Sequence, residues 1–222
     1  MRQKIQCAIL WLAVLSLVGN AGAGEVVDRI VASVNQQVVL ESELQVSIAY
    51  QCLANHSSCL PLGSAERDAA LNRLIEQKLL QQQMRDAQPQ FNMQKVAQRV
   101  EELKEELTSG GKKKEDLQGL WMQALEKYGL TQADVEREVE FQEAVLRFVD
   151  ARFRPRIRIE EGSVERYYTE MLIPQLKTAG TQVPRLEEVA ARIREVLVQQ
   201  RINEELASWL KTLREQSTIK IH

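Results

Sequence analysis

Aromatic residues make up only 5% of this 222-residue chain, against 27% charged residues. That balance suits long, surface-rich helices better than an aromatic-filled β-sandwich. Histidine is scarcer still. His56 and His222 are the only two, and neither stands in a nucleophilic arrangement. No G-x-S-x-G, H-E-x-x-H, P-loop or dinucleotide-binding glycine pattern occurs. Glu101-Glu102 and Glu105-Glu106 read as solvated charge on a helix surface, because acid catalysis would require a buried partner. The expectation is a protein without catalysis, cofactor or metal. Basic residues do not outnumber acidic ones (29 against 31), so there is no electrostatic case for nucleic acid. Repeats and low-complexity tracts are absent.

What is present begins with a leader. Arg2 and Lys4 precede an uncharged run, Ile5 to Val18, and then Ala21-Gly22-Ala23. These are the charged, apolar and small-residue parts of an export signal. The run falls short of the roughly 20 apolar residues of a membrane span, and no later segment could cross a membrane. The expected mature chain starts near Gly24. Without Arg2 and Lys4, 27 basic residues face 31 acidic ones, a net charge of −4.

Cys52 and Cys59 remain after the leader. In an oxidising compartment a pair seven apart reads first as a local disulfide. The other readings are a metal site with His56, which lacks a fourth ligand, and two free thiols.

Secondary structure reads clearly in most places. Ile30, Ala32 and Val34 alternate with Val31 and Ser33. Asn35-Gln36-Gln37 breaks the pattern and Val38-Val39-Leu40 resumes it, which predicts a hairpin. Ser42 with Gln45 predicts a helix from Glu43. Leu71, Leu74, Ile75 and Leu79 mark a helix from Ser64 to about Ala87. Asn92 caps another, carrying Val96, Val100, Leu103 and Leu107. Leu117, Leu120, Trp121 and Leu125 form a short helix stopped by Gly129. Thr131 and Asp134 open a helix through Val135, Val139, Leu146 and Val149. RFRPRIRI, residues 152–159, reads as an extended connector with solvated arginines in preference to a basic ribbon for an acidic partner. A helix from Ser163 to Ile173 carries Tyr167-Tyr168, and residues 174–184 read as a loop. An unbroken pattern from Arg185 to about Gln216 predicts a long helix whose buried face changes midway. It would therefore touch two parts of the molecule. The β-prone residues Thr218 to His222 are too short to stand alone and are predicted to pair with the hairpin.

In their order, these pieces resemble the SurA-type periplasmic chaperones. VDRIVASVNQQVVLESEL resembles the family's opening hairpin and first helix. RDAALNRLIEQKLLQQQ and LTQADVEREVEFQEAVLRF are similar to its core helices. RPRIRIEEGSVERYYTE resembles its exit from the core, and VPRLEEVAARIREVLVQQRINEELASWLKTLREQSTIKIH its returning helix and strand. The resemblance implies a mainly α fold: an elongated multi-helix cradle with a small antiparallel sheet joining the N-terminal hairpin to the C-terminal strand. It divides the chain into a signal peptide at 1–23 and one domain at 24–222. That domain has a core at 24–173, a loop at 174–184 and a returning helix and strand at 185–222.

The resemblance implies a function as well: ATP-independent holding of unfolded exported polypeptides, among them outer-membrane β-barrel precursors, in the periplasm. Relatives carry parvulin prolyl-isomerase domains between the core and the returning helix. Here eleven residues stand in that place, and a domain needs about 50. No histidine lies between His56 and His222, so isomerase activity is not expected to carry over. The rival functions are a prolyl isomerase and an adaptor with one fixed partner. A holdase needs exposed apolar surface. Leu80, Met84, Leu120, Met122, Phe141 and Val145 are the candidate client contacts, each weighed against ordinary core packing.

Overall fold

The structure, a computed structural model, describes residues 28–57, 63–87, 92–108 and 117–222. The export signal and Cys59 lie outside the described residues. The fold is predominantly helical, an elongated cradle with one small sheet. Strands β1 (Ile30–Val34) and β2 (Gln37–Leu40) form the hairpin, and β3 (Ile219–Ile221) lies antiparallel on the other side of β1, giving the order β2-β1-β3.

The two-residue turn of the hairpin works without glycine. Asn35 takes φ 55°, a left-handed conformation that asparagine tolerates better than most side chains. The same residue fastens the two chain ends together. Its amide N–H donates to the Thr218 carbonyl at 2.8 Å, and its side-chain oxygen accepts from the Thr218 N–H at 2.9 Å. Gln82 donates to the Val34 carbonyl at 3.2 Å, which ties the turn to a helix as well.

Strict alternation fails at the start of β1. Ile30 pairs with Leu40 and Ala32 with the adjacent Val39, so Val31 is an extra residue in a bulge. The bulge turns Val31 into the core beside Ala32 and leaves Ile30 exposed, so the expected two-sided alternation does not hold there.

The main helices are α1 (Glu41–Ala54), α2 (Ser64–Ala87), α3 (Met93–Thr108), α4 (Leu117–Tyr128) and α5 (Gln132–Phe153). Helix α1 starts two residues before the expected position. Glu43, not Gln45, reaches back to accept from the Leu40 N–H at 3.0 Å, while Ser42 bonds Asp28. Elsewhere the expected caps form. Asn92 accepts from Gln94 N–H, Thr131 and Asp134 cap each other, and Gly129 closes α4 at φ 67°.

A short 3-10 turn (Arg154–Arg156) leads to α6 (Ser163–Tyr167), a π-helical turn (Tyr168–Leu172) and α7 (Ile173–Thr178). The helix therefore continues through Pro174, where a loop was expected. Proline removes an N–H and crowds the preceding turn, and the wider π turn just before it accommodates that defect. The connection to α8 shortens to residues 179–185. Helix α8 (Leu186–Glu215) then runs for 30 residues, about 45 Å.

Three apolar clusters organise these elements. The first packs the sheet (Ala32, Val34, Val39) on α1 and α2 (Leu44, Ile48, Leu74, Ile75). The second surrounds Trp121 and joins α1, α3, α4 and α5. Helix α1 serves both, with Leu44 and Ile48 in one and Tyr50 and Leu53 in the other. The third is small: Val149 and Phe153 of α5 against Ile202 of α8. The predicted change of face on α8 is present. Its first half packs on α6, its middle on α5, and its end reaches α2 and the first cluster through Leu213.

Candidate functional site

Helix α5 is the element to which the candidate site belongs. Residues 145–149 read Val-Leu-Arg-Phe-Val, four apolar residues in five. At 100° per residue a helix cannot bury all four on one face. Val149 goes into the third cluster and Val145 packs beside it. Leu146 points away and is 63% exposed, and Phe148 is left half-buried. The expected role of Leu146 in the apolar stripe of α5 is therefore not the one it has.

Around these residues runs a chain of connected depressions. The largest, about 610 Å³, lies between α3, α5 and α8, with Leu146, Phe148 and Ile202 among its lining. A second of about 290 Å³ shares Lys95, Glu143 and Leu146 with it and continues toward Val139 along α3. A third of about 440 Å³ shares Phe148 and Ala151 and continues to Arg152, Pro155 and Arg156. Together they make one shallow groove winding over α5 from the α3 side to the 3-10 turn.

Its charges are mostly neutralised within the groove. Glu143 takes Arg147 at 2.9 Å and Lys95 at 3.9 Å. Arg99 bridges Glu102 at 3.1 Å and Glu106 at 3.2 Å. Arg154 spans Asp150 and Glu195, the latter at 2.8 Å, which pins α8 to the end of α5. These pairs leave little uncompensated charge beside the exposed Leu146.

A separate cavity of about 420 Å³ opens between α1, α2 and α5, lined by Phe141 but otherwise largely polar. Glu138 sits at its edge, accepting from Gln77 at 3.0 Å and from Gln142 at 3.5 Å. Burial pushes its carboxyl above the usual range, partly offset by these two bonds. Desolvation likewise raises Tyr50, whose hydroxyl donates to Gln142 at 3.4 Å. This network links three helices.

The six residues singled out from the sequence do not converge. Leu80 and Met84 are buried on α2. Leu120 is half-buried and Met122 exposed on α4. Phe141 lines the polar cavity, and Val145 packs in the third cluster. Leu146, Phe148 and Ile202 were missed as site residues, although the crowding of apolar residues at 145–149 signals that some must face outward. Cys52 is buried and disulfide-bonded, while Cys59, its expected partner, falls outside the described residues. Among the described residues no group of three His, Cys, Asp or Glu side chains could hold a metal, and no helix is long and apolar enough to cross a membrane.

Residues 1–147 match the SurA-like N-terminal domain family, a span that covers two-thirds of the sequence and ends within α5. The chain belongs to this family. No curated protein matches it. Within the SurA-like chain, the matched region contains the hairpin and the α3 wall of the groove. Helix α8, the opposite wall, and β3 follow it in sequence.

Proposed function

We propose that this SurA-like protein is an ATP-independent holdase of the periplasm. It binds unfolded exported polypeptides, outer-membrane β-barrel precursors among them, and releases them without a nucleotide cycle. The observation that carries this reading is the groove over α5, where Leu146 stays exposed and Phe148 half-buried beside ion-paired side chains. Apolar surface held open by a packed scaffold offers an unfolded chain a partner while limiting self-association. Shallow depressions that share lining residues along α5 suit extended segments of varied sequence better than one small molecule.

The same reading makes the protein a binder rather than an isomerase. What supports this is the short connection at residues 179–185, the place where larger relatives carry a parvulin domain. A proline-peptide isomerisation assay is expected to show the uncatalysed rate only.

The central experiment is dilution of a urea-unfolded outer-membrane β-barrel protein into buffer, followed by light scattering. The purified protein is expected to suppress aggregation at near-stoichiometric ratios. No suppression at a severalfold excess would refute the proposal. Isolation of one stoichiometric partner in place of many unfolded clients would favour an adaptor.

A further inference from the structure

The groove is not electrically uniform along its length. Over Leu146 its acids and bases cancel in local ion pairs. At the far end, the depression lined by Phe148, Ala151, Arg152, Pro155 and Arg156 contains two cations and no acid. Among the described residues neither the Arg152 nor the Arg156 side chain has an ion-pair or hydrogen-bond partner. Both are exposed. Two unneutralised guanidiniums here flank the Phe148 side chain in one depression.

Arg152 is also held in place. Its guanidinium lies 4.3 Å from the centre of the Trp209 ring, and Trp209 is itself wedged against Phe148 and Phe153 at 5.9 and 5.8 Å. Stacking on an aromatic face orients a guanidinium while leaving its N–H donors unspent. A positive side chain in the last turn of α5 would satisfy the helix dipole wherever it pointed. That role accounts neither for the aromatic seat nor for a second free arginine four residues on.

We propose that this end of the groove takes an acidic side chain, an Asp or Glu carboxylate, from an extended polypeptide whose apolar side chain lies over Leu146. This rests on the chaperone reading and adds client chemistry and a binding direction to it. Leu146 and Arg152 are six residues apart on α5, at least about 9 Å along its axis. Extended chain advances about 3.3 Å per residue. The recognised segment therefore separates its acidic and apolar residues by about three positions or more.

The test uses a short peptide of alternating leucine and serine, capped at both ends, with two glutamates at one end and a neutral coumarin label at the other. Its partner peptide has glutamine in place of glutamate. By fluorescence anisotropy at low salt, the protein is expected to bind the glutamate peptide about tenfold tighter. The exposed double variant R152Q/R156Q is expected to lose that preference while keeping its affinity for the glutamine peptide. Equal affinity of the unmodified protein for both peptides overturns the inference, as does a preference that survives in the variant. A glutamine peptide with a free C-terminal carboxylate that binds as tightly as the glutamate peptide also overturns it, because the site would then read chain ends. So would arginine-dependent pelleting with phosphatidylglycerol vesicles in the absence of peptide discrimination. Aggregation suppression is measured in parallel. Suppression without peptide discrimination removes this inference alone, and discrimination without suppression removes the chaperone reading and leaves the acidic-peptide site.

Discussion

Two regions of this molecule are built to different densities. The core, α1 to α5 with the sheet, buries an apolar side chain at nearly every turn, including Trp121, Leu44, Leu53 and Ile75 with essentially no exposure. The arm, from residue 157 through α8, buries only Val164, Ile193 and Ile202 among its apolar residues. Each fully buried aliphatic side chain contributes about 1.5–3 kcal/mol, so the core is fixed many times over and the arm at a few points. Those points are spaced along it. Ile193 is buried in the first half of α8, Ile202 meets α5, and the Asn35–Thr218 pair fastens the far end. Tyr168 adds a tie by donating to the Pro184 carbonyl at 2.7 Å. The groove lies along the seam between the two regions. A binding surface there has its floor on α5 and one wall on α8.

The contrast is broken most severely from the core side. Trp121→Ala removes the hub of the second cluster and should cost about 3–5 kcal/mol. Urea denaturation followed by circular dichroism would show the loss, with core and arm unfolding together. A change below about 1 kcal/mol would mean that the cluster is not the main support assigned to it.

Ile202→Ala should act on the arm. Its side chain is 1% exposed in a cluster of only three buried residues, so about 2–4 kcal/mol of local packing goes. Hydrogen exchange is expected to speed up across Leu186–Glu215 while α1 to α4 stay protected. Uniform loss of protection would show that core and arm are one cooperative unit.

A smaller effect should come from Glu41, at the start of α1. The Arg67 side chain first, and Arg29 second, hold its carboxyl down at about 2. The bonds from Arg67 measure 2.9 and 2.7 Å. A depressed carboxylate stabilises the fold above its unfolded value, and that contribution is lost as pH falls from the ordinary carboxylate range toward 2. Glu41→Gln should therefore cost about 0.5–1 kcal/mol at neutral pH. The difference from the unmodified protein should close across that acid window. A gap unchanged at low pH would show that the ion pair is not its source.

The core was also the region most open to reading from sequence. Its stripes at 71–79 and 96–103 became buried faces, and Asn92, Thr131 and Gly129 capped helices as their chemistry requires. The joining of the chain ends was visible because a strand as short as 219–221 has no other way to persist. The remainder depended on tertiary context. Periodicity cannot show a one-residue bulge at Val31, since the sequence carries no mark of which partner residue is skipped. It could not show Pro174 inside a helix, because the π turn that absorbs the proline is a property of the backbone. On α8 the expected stripe through Leu186, Val189, Ile193 and Leu197 is real, yet only Ile193 is fully buried and the other three are half-buried. An amphipathic pattern tells which face is apolar, not whether anything packs against it. The site was lost for the same reason: Leu146 fits the period of α5 and still faces out.

The groove's place at the seam can be tested most directly by photo-crosslinking. A benzoylphenylalanine residue replaces Leu146 in one variant and Val196, an exposed apolar position on the outer arm, in another. Each is mixed with an unfolded outer-membrane β-barrel protein and irradiated. Strong capture of the client is expected from position 146 and little from position 196. Equal capture from both, or capture from 196 alone, would contradict this placement.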